Sequence, residues 1–122
     1  MEIKRFEGTG RMSRVVEHND TVYLCGQTCG EPDTDIKEQT QVVLQKISDL
    51  LEQYGSSPRH MLSVTIYLRD MACFKAMNEV WDAWVVAGFE PARACVEARM
   101  ARDTLLVEMT VIAAKISPSK ES

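Results

Sequence analysis

The chain has 122 residues, of which 45% are hydrophobic and 26% charged, and its formal net charge is −4. This length suits a single domain with a real core, and the acidic balance argues against nucleic-acid binding, which favours a basic surface. No apolar run approaches the roughly 20 residues that span a bilayer, and residues 1–5 (MEIKR) lack the apolar core of a signal peptide. We therefore expect a cytoplasmic protein with no membrane or nucleic-acid partner.

Four cysteines are spread irregularly along the chain: Cys25, Cys29, Cys73 and Cys95. Their spacing indicates reduced thiols and not a disulfide framework. The two histidines lie in unrelated segments, so no combination of Cys and His completes the spacing of a zinc site. We expect no metal.

The first regular structure is predicted to be a β-hairpin. Residues 14–18 and 21–26 are rich in β-formers and flank Asn19 and Asp20, a pair of turn-forming residues. Residues 2–6 are a candidate for a short additional strand. Residues 28–34, which contain Gly and Pro, are predicted to form a loop.

A helix and a strand follow this loop. Asp35 is placed to cap the helix, apolar side chains then recur on one helical face over residues 36–54, and Gly55 ends it. Residues 62–68 alternate between apolar and polar side chains, which predicts a strand with one apolar and one mixed face. A face too apolar for water and too polar for a core indicates oligomer contact.

A second helix is predicted over residues 71–86, and two strands over residues 92–99 and 105–115 end the fold. The buried stripe of this helix is predicted to comprise Phe74, Met77, Val80, Trp81, Trp84 and Val85. The order β-β-α-β-α-β-β predicts an α+β sandwich, a mixed sheet with two helices on one face. We expect one domain over residues 1–116 and a tail over residues 117–122.

Two charged residues stand in the apolar runs of the last two strands. Burying a charge is costly unless it is paired or binds a ligand, so Arg93 and Glu108 are the candidate functional residues. If the two strands pair as a hairpin, both side chains lie close together on the less apolar face. Arginine suits a carboxylate, and glutamate can orient a water molecule or accept a proton. The alternative is a structural ion pair of Arg93 with Glu97 or Glu108.

The sequence resembles the RidA/YjgF/UK114 family over nearly its whole length. The segments that carry the resemblance are residues 22–27 (VYLCGQ), 39–40 (QT), 50–51 (LL), 64–70 (VTIYLRD), 77–81 (MNEVW), 91–97 (PARACVE), 107–108 (VE) and 112–114 (IAA). The resemblance implies a chorismate-mutase-like fold and a homotrimer whose sheets line a central barrel, with active sites in the clefts between subunits. It also implies hydrolysis of reactive 2-iminoacids to 2-ketoacids and ammonia, with neither a metal nor an organic cofactor.

The resemblance assigns roles residue by residue. Arg93 matches the arginine that binds the substrate carboxylate, and Glu108 matches the acidic residue that holds the hydrolytic water. The backbone carbonyl of Cys95 assists that water, and the backbone of Gly26 seats the substrate.

Two pocket positions depart from the family pattern. Met12 stands where many deaminases have a tyrosine that lines the pocket, and Cys25 replaces the serine that usually precedes Gly26. Arg11 and Arg14 add positive charge nearby. Because the tyrosine is lost, the alternative function is a non-catalytic member that binds a small carboxylate or protects other proteins.

Overall fold

The computed structural model describes residues 2–31 and 33–116. In these ranges, the strands and α-helices are β1 (Lys4–Gly8), β2 (Ser13–His18), β3 (Thr21–Gln27), α1 (Ile36–Gln53), β4 (Met61–Leu68), α2 (Phe74–Trp84), β5 (Ala92–Glu97) and β6 (Val107–Ala114). The candidate strand near the N-terminus is confirmed as β1. The tail predicted over residues 117–122 lies outside the described residues.

The predicted hairpin is confirmed as β2 and β3. Asn19 and Asp20 have φ angles of 52° and 61°, the left-handed backbone that both central residues of a type I′ turn adopt. The twist of this turn matches the twist of the flanking strands, which explains why two residues suffice to reverse the chain.

The two helices begin with side-chain caps or a 3-10 turn. Asp35 accepts a hydrogen bond of 2.9 Å from the backbone N–H of Glu38, which confirms the predicted cap of α1. The second helix starts later than predicted, because Met71–Cys73 forms a 3-10 turn capped by Asp70. The prediction that Phe74 is buried is wrong: it is the first residue of α2 and is 37% exposed, so the fully buried positions begin at Met77.

The sheet order is β1-β2-β3-β6-β4-β5, and every neighbouring pair is antiparallel except β4 and β5. The hairpin of β5 with β6, which was the condition for bringing Arg93 and Glu108 together, therefore does not form. The crossover through α2 brings β5 back parallel to β4, as such connections do. The following segment, residues 98–106, then carries the chain past β4, and β6 inserts between β3 and β4.

One face of the sheet packs on the helices and the other stays open. The helix-facing side chains of β4 and β6 are almost fully buried: Val64, Ile66, Leu68, Val107, Met109, Val111 and Ala113. On the open face, Tyr23, Val96 and Ile112 are more than a third exposed. The α+β architecture with two helices on one face of a mixed sheet is confirmed. No helix in the described ranges is long and apolar enough to cross a membrane.

Candidate functional site

Arg93 lies on the helix-facing side of β5, the strand at the edge of the sheet. Its register partner is Val64, which is buried under the helices, so both side chains point toward α2. The Arg93 Nη1 donates a 2.8 Å hydrogen bond to the Asn78 Oδ1, and the guanidinium lies over the Trp81 ring with 5.3 Å to its centroid. Arg93 nevertheless remains exposed at the sheet edge. Two residues of α2 therefore orient a guanidinium that faces solvent.

Cys95 and Glu97 share this face of β5, as the alternation predicts. Cys95 is half-buried, and burial raises the pKa of its thiol, while the positive charge of Arg93 acts in the opposite direction. Glu97 accepts a 2.9 Å hydrogen bond from the backbone N–H of Met71. Among the described residues of one chain, Arg93 forms an ion pair with neither Glu97 nor Glu108, and its side-chain hydrogen bond goes to Asn78.

Glu108 lies on the opposite, open face of the sheet. Its register partner is Tyr67, which is paired in turn with the exposed Val96. The Glu108 side chain lies against Gly26: a Cβ added there would meet the carboxylate, with the Glu108 Cδ only 3.0 Å away. Gly26 does not have a positive φ, so this position requires glycine for the close approach and not for its backbone conformation.

Cys25 precedes Gly26 at an irregularity of β3, where the register with β6 shifts between Leu24 and Gln27. The buried Gln27 stabilises this bulge, because its Nε2 donates a 3.0 Å hydrogen bond to the Cys25 carbonyl and approaches the Cys25 Sγ at 3.4 Å. Bulges often re-aim side chains beside functional sites. Here the side chain of Glu108, which belongs to β6, packs against Gly26 in this bulge.

Arg11 and Met12 immediately precede β2, and Arg14 is the second residue of that strand. Met12 is 50% exposed and lines a shallow cavity of about 460 Å³ together with Arg5 and Arg11. Arg14 is 3.8 Å from the carboxylate of Glu7, a partly exposed ion pair. Arg11 therefore adds positive charge beside Met12, while the charge of Arg14 is partly neutralised by Glu7.

The two candidate catalytic residues are not brought together by one chain. Arg93 and Glu108 lie on opposite faces, two strands apart and three register positions apart along β5. These offsets correspond to about 10 Å across the sheet and about 10 Å along the strands. The expectation that both share the less apolar face is wrong, because it rested on a hairpin that does not form. A second subunit is needed to complete any site that uses both.

Comparison with known proteins identifies the family. The family model described as endoribonuclease L-PSP matches residues 2–115. The chain is 42% identical over 114 residues to the RutC family protein YoaB of Escherichia coli, an alignment that covers 93% of this chain and 99% of that protein. The chain belongs to the YjgF/RutC family.

Solved YjgF-family structures agree with this assignment. A YjgF family member from Neisseria meningitidis superposes with a TM-score of 0.92 at 45% identity and covers 96% of this chain and 98% of that one. A Pseudomonas aeruginosa protein described as uncharacterized superposes with a TM-score of 0.90 at 38% identity, covering 94% of this chain and all of that one. The family and fold predicted from the sequence are therefore confirmed.

Within this YjgF-family site, the sequence interpretation missed the residues that orient Arg93. The prediction that Trp81 packs in the core is confirmed, since it is only 5% exposed. Its ring also forms a cation–π contact with the Arg93 guanidinium. Asn78 had no assigned role. The signal for both was present: they lie three residues apart on one helix, which places them on the same face.

Gln39 is a second residue that received no role. It is fully buried on α1, and its Nε2 donates to the carbonyls of Thr34 (3.1 Å) and Thr104 (2.8 Å). Its Oε1 accepts a 2.9 Å hydrogen bond from the backbone N–H of Leu106. Gln39 therefore fixes the segment that leads into β6, two residues before Glu108.

Arg99 is a third residue that was missed. It lines a cavity of about 290 Å³ on the open face, and the other lining residues are Tyr67, Ala98, Met100, Glu108 and Thr110. It stands at the end of the strand predicted over residues 92–99, but β5 ends at Glu97, so Arg99 belongs to the connection that follows the strand. The arrangement places an arginine of the same chain in the cavity of Glu108.

Proposed function

We propose that this protein hydrolyses 2-iminoacids to 2-ketoacids and ammonia, at sites shared between the subunits of a homotrimer. The observation that carries the proposal is the exposed Arg93 guanidinium held by Asn78 and Trp81. Its Nη1 is used by Asn78, which leaves Nη2 and Nε for a bidentate pair with a substrate carboxylate. An exposed arginine that is already oriented binds such a group at a low cost in side-chain entropy.

The reaction requires little beyond positioning. With the carboxylate on Arg93, a water molecule held by Glu108 and the Cys95 carbonyl attacks the electrophilic imine carbon, and Glu108 accepts the proton of that water. Glu108 returns that proton to the nitrogen to give a carbinolamine, and transfer of the hydroxyl proton to the nitrogen with cleavage of the C–N bond then releases ammonia and leaves the ketone. Holding water and imine in attack geometry supplies much of the acceleration. Gly26 seats the substrate through its backbone, and Cys25 and Met12 line the pocket.

The opposite-face arrangement supports a site shared between copies of the chain. The open face carries the exposed apolar side chains Tyr23, Val96 and Ile112, a surface suited to burial against a like sheet. In such a trimer, Arg93 of one subunit would meet Glu108 of the next. Cys25, Cys73 and Cys95 form no disulfide among the described residues, which supports a reducing cytoplasmic compartment.

The assay of this proposal follows ketoacid formation from freshly generated 2-iminobutanoate, with or without the protein. We expect the wild-type protein to accelerate hydrolysis, and Arg93→Ala and Glu108→Gln each to abolish most of that acceleration. Equal rates for the wild type and Arg93→Ala would overturn the catalytic role of Arg93.

A subunit-mixing experiment tests the shared site. Arg93→Ala subunits retain Glu108, and Glu108→Gln subunits retain Arg93. If subunits assemble at random in a closed ring, about a quarter of the sites in a 1:1 mixture contain both wild-type residues. We therefore expect about a quarter of wild-type activity after dissociation and reassembly. Mixed oligomers verified by mass spectrometry that remain inactive would contradict a site shared in this way.

A second function is favoured by one observation: Met12 supplies no hydroxyl where deaminases of the family pattern have a tyrosine. In that case the protein binds small carboxylates without converting them, or protects other proteins. Binding of 2-oxobutanoate that depends on Arg93, without imine hydrolysis, would identify it. We do not propose the RNA cleavage suggested by the description of the family model, because a net charge of −4 is unlike an RNA-binding surface.

A further inference from the structure

Two adjoining cavities meet at the carboxyl end of β5. One is the cavity of about 290 Å³ that contains Glu108, and the other has about the same volume and is lined by Arg69, Glu97, Ala98 and Arg99. Ala98 and Arg99 line both, so the two cavities adjoin at the Arg99 side chain. Their volumes approach the roughly 300 Å³ at which pockets begin to hold small organic ligands.

Arg69 has an unused donor beside this space. Its Nη1 is buried and has no hydrogen-bond partner among the described residues. Its Nη2 contacts Asp103 at 3.2 Å, but the Asp103 side chain is 98% exposed, and such a pair is weak. A buried guanidinium donor without a partner costs free energy unless something fills that position. Because Nη1 has almost no accessible surface in the free chain, an anion in the cavity would fill that position once the guanidinium turns toward it.

The local charges leave the two arginines available. Glu97 lines the second cavity with them, and its Oε1 accepts a hydrogen bond from the Met71 backbone N–H. Arg99 is exposed and forms no hydrogen bond or ion pair with any described residue. Glu108 and Arg99 line the same cavity. A molecule whose anionic group binds Arg99 could therefore reach Glu108 with its other end.

We infer that Arg99 and Arg69 form a second anion subsite, which selects 2-iminoacids that carry a second carboxylate. The choice of an imine as substrate rests on the proposed function, whereas the binding of a second carboxylate does not. Arg93 takes the carboxylate next to the imine, Glu108 holds the water, and the distal carboxylate is paired with Arg99 and the unused Nη1 of Arg69. The substrate class is the imine of an acidic amino acid.

The catalytic test compares two imines generated in place by an amino-acid oxidase, one from glutamate and one from 2-aminobutanoate. The readout is the ratio of kcat/KM for the dicarboxylic over the monocarboxylic imine. We expect Arg99→Gln to lower this ratio about tenfold, as the loss of one charge-assisted contact does. Arg102→Gln is the matched control: it removes the same charge nearby, but Arg102 is bonded to Glu31 and to the Gly30 carbonyl. It should leave the ratio within about twofold of wild type.

A binding measurement separates the failure of this inference from the failure of the proposed function. Calorimetry with 2-oxoglutarate and 2-oxobutanoate reports the preference for a second carboxylate even if neither imine is hydrolysed. We expect tighter binding of 2-oxoglutarate, lost in Arg99→Gln and in Arg69→Gln and kept in Arg102→Gln. If 2-iminobutanoate is hydrolysed but Arg99→Gln changes neither the kcat/KM ratio nor the binding preference for 2-oxoglutarate, the subsite is overturned and the deaminase function stands. If neither imine is hydrolysed but the preference is found, the subsite stands and the deaminase function falls.

Discussion

The carboxylate of Glu108, on β6, lies against the Cα of Gly26, on β3. It occupies the space that a side chain at position 26 would need. This contact joins the bulge of β3 to the middle of the open face. It makes the position of Glu108 dependent on a residue that has no functional group of its own.

Gly26→Ala is therefore expected to displace Glu108 without unfolding the protein. The atoms that a Cβ would meet belong to the flexible Glu108 side chain, which can rotate away. A displacement of about 1 Å at a reacting group can cost on the order of 100-fold in rate, so imine hydrolysis should fall by about that factor.

Gly8→Ala is the control for this substitution. A Cβ at Gly8 would meet only the Met12 carbonyl, at an ordinary 3.9 Å. We expect Gly8→Ala to retain activity, and the thermal midpoints of both variants to stay near that of wild type. Full activity in Gly26→Ala would show that Glu108 does not need this position.

The sequence predicts correctly those features that depend on a few neighbouring residues, and it fails where a feature depends on contact with a distant element. The hairpin at Asn19 and Asp20 and the cap at Asp35 follow from a few neighbouring residues, and both are confirmed. Alternation also places Arg93 and Cys95 correctly on one face of their strand. Alternation cannot say which face that is, because this depends on the register with Val64, a residue of another strand.

The error over Arg93 and Glu108 has a second physical cause. A polar segment between two strands favours a hairpin, but residues 98–106 are long enough to pass β4, and the crossover through α2 had already placed β5 parallel to it. Arg93 is tolerated on the helix-facing side because β5 is an edge strand and α2 supplies Trp81 and Asn78. Such compensation by a distant element leaves no trace in the strand's own pattern.

Asn78→Ala is expected to weaken carboxylate binding by Arg93. The substitution removes the 2.8 Å hydrogen bond that holds the guanidinium, so Arg93 must be ordered by the substrate. We expect KM for a 2-iminoacid to rise about fivefold while kcat changes less, and stability to fall by about 1 kcal/mol. Steady-state kinetics and urea unfolding measure the two effects.

The control for Asn78 is Gln45→Ala. Gln45 forms a comparable exposed amide hydrogen bond, at 2.9 Å to Asp49 on α1, but has no contact with Arg93. A double-mutant cycle adds the decisive comparison, because Asn78→Ala should have no further effect on KM in an Arg93→Ala background. Additive effects would mean that Asn78 acts independently of Arg93.

The thiol of Cys95 is expected to react slowly with iodoacetamide near neutral pH. Burial raises its pKa, so the reactive thiolate is scarce until the solution is alkaline, and the nearby Arg93 charge only partly opposes this. Arg93→Gln removes the opposing charge and should move the midpoint of the alkylation profile to higher pH. Mass spectrometry of the Cys95 peptide across a pH series provides the measurement.

Cys25 is the internal reference in the same alkylation experiment, since it lies on β3 and away from Arg93 in the chain's own fold. A Cys95 midpoint that stays constant, or moves to lower pH, would contradict the electrostatic contact between Arg93 and Cys95.

Gln39→Leu is expected to be among the more destabilising substitutions on α1. It leaves two carbonyls and one N–H without their hydrogen bonds in a fully buried site, which should cost about 2–4 kcal/mol. Gln41→Leu, on the exposed side of the same helix, should stay within about 0.5 kcal/mol of wild type. Urea unfolding measures both, and equal midpoints for the two variants would contradict the bracing role of Gln39.

Ile112→Asp is expected to prevent assembly and with it imine hydrolysis. Ile112 lies on the open face beside Tyr23 and is 36% exposed in the single chain, so an aspartate there costs the subunit little but puts a charge into the proposed interface. Phe74→Asp is a matched control, because Phe74 is 37% exposed but belongs to α2 on the other side of the sheet. Light scattering coupled to size exclusion should find monomers for Ile112→Asp and wild-type assemblies for Phe74→Asp. Because Arg93 and Glu108 lie on opposite faces, a monomer that still hydrolysed the imine at the wild-type rate would require a site that uses only one of them.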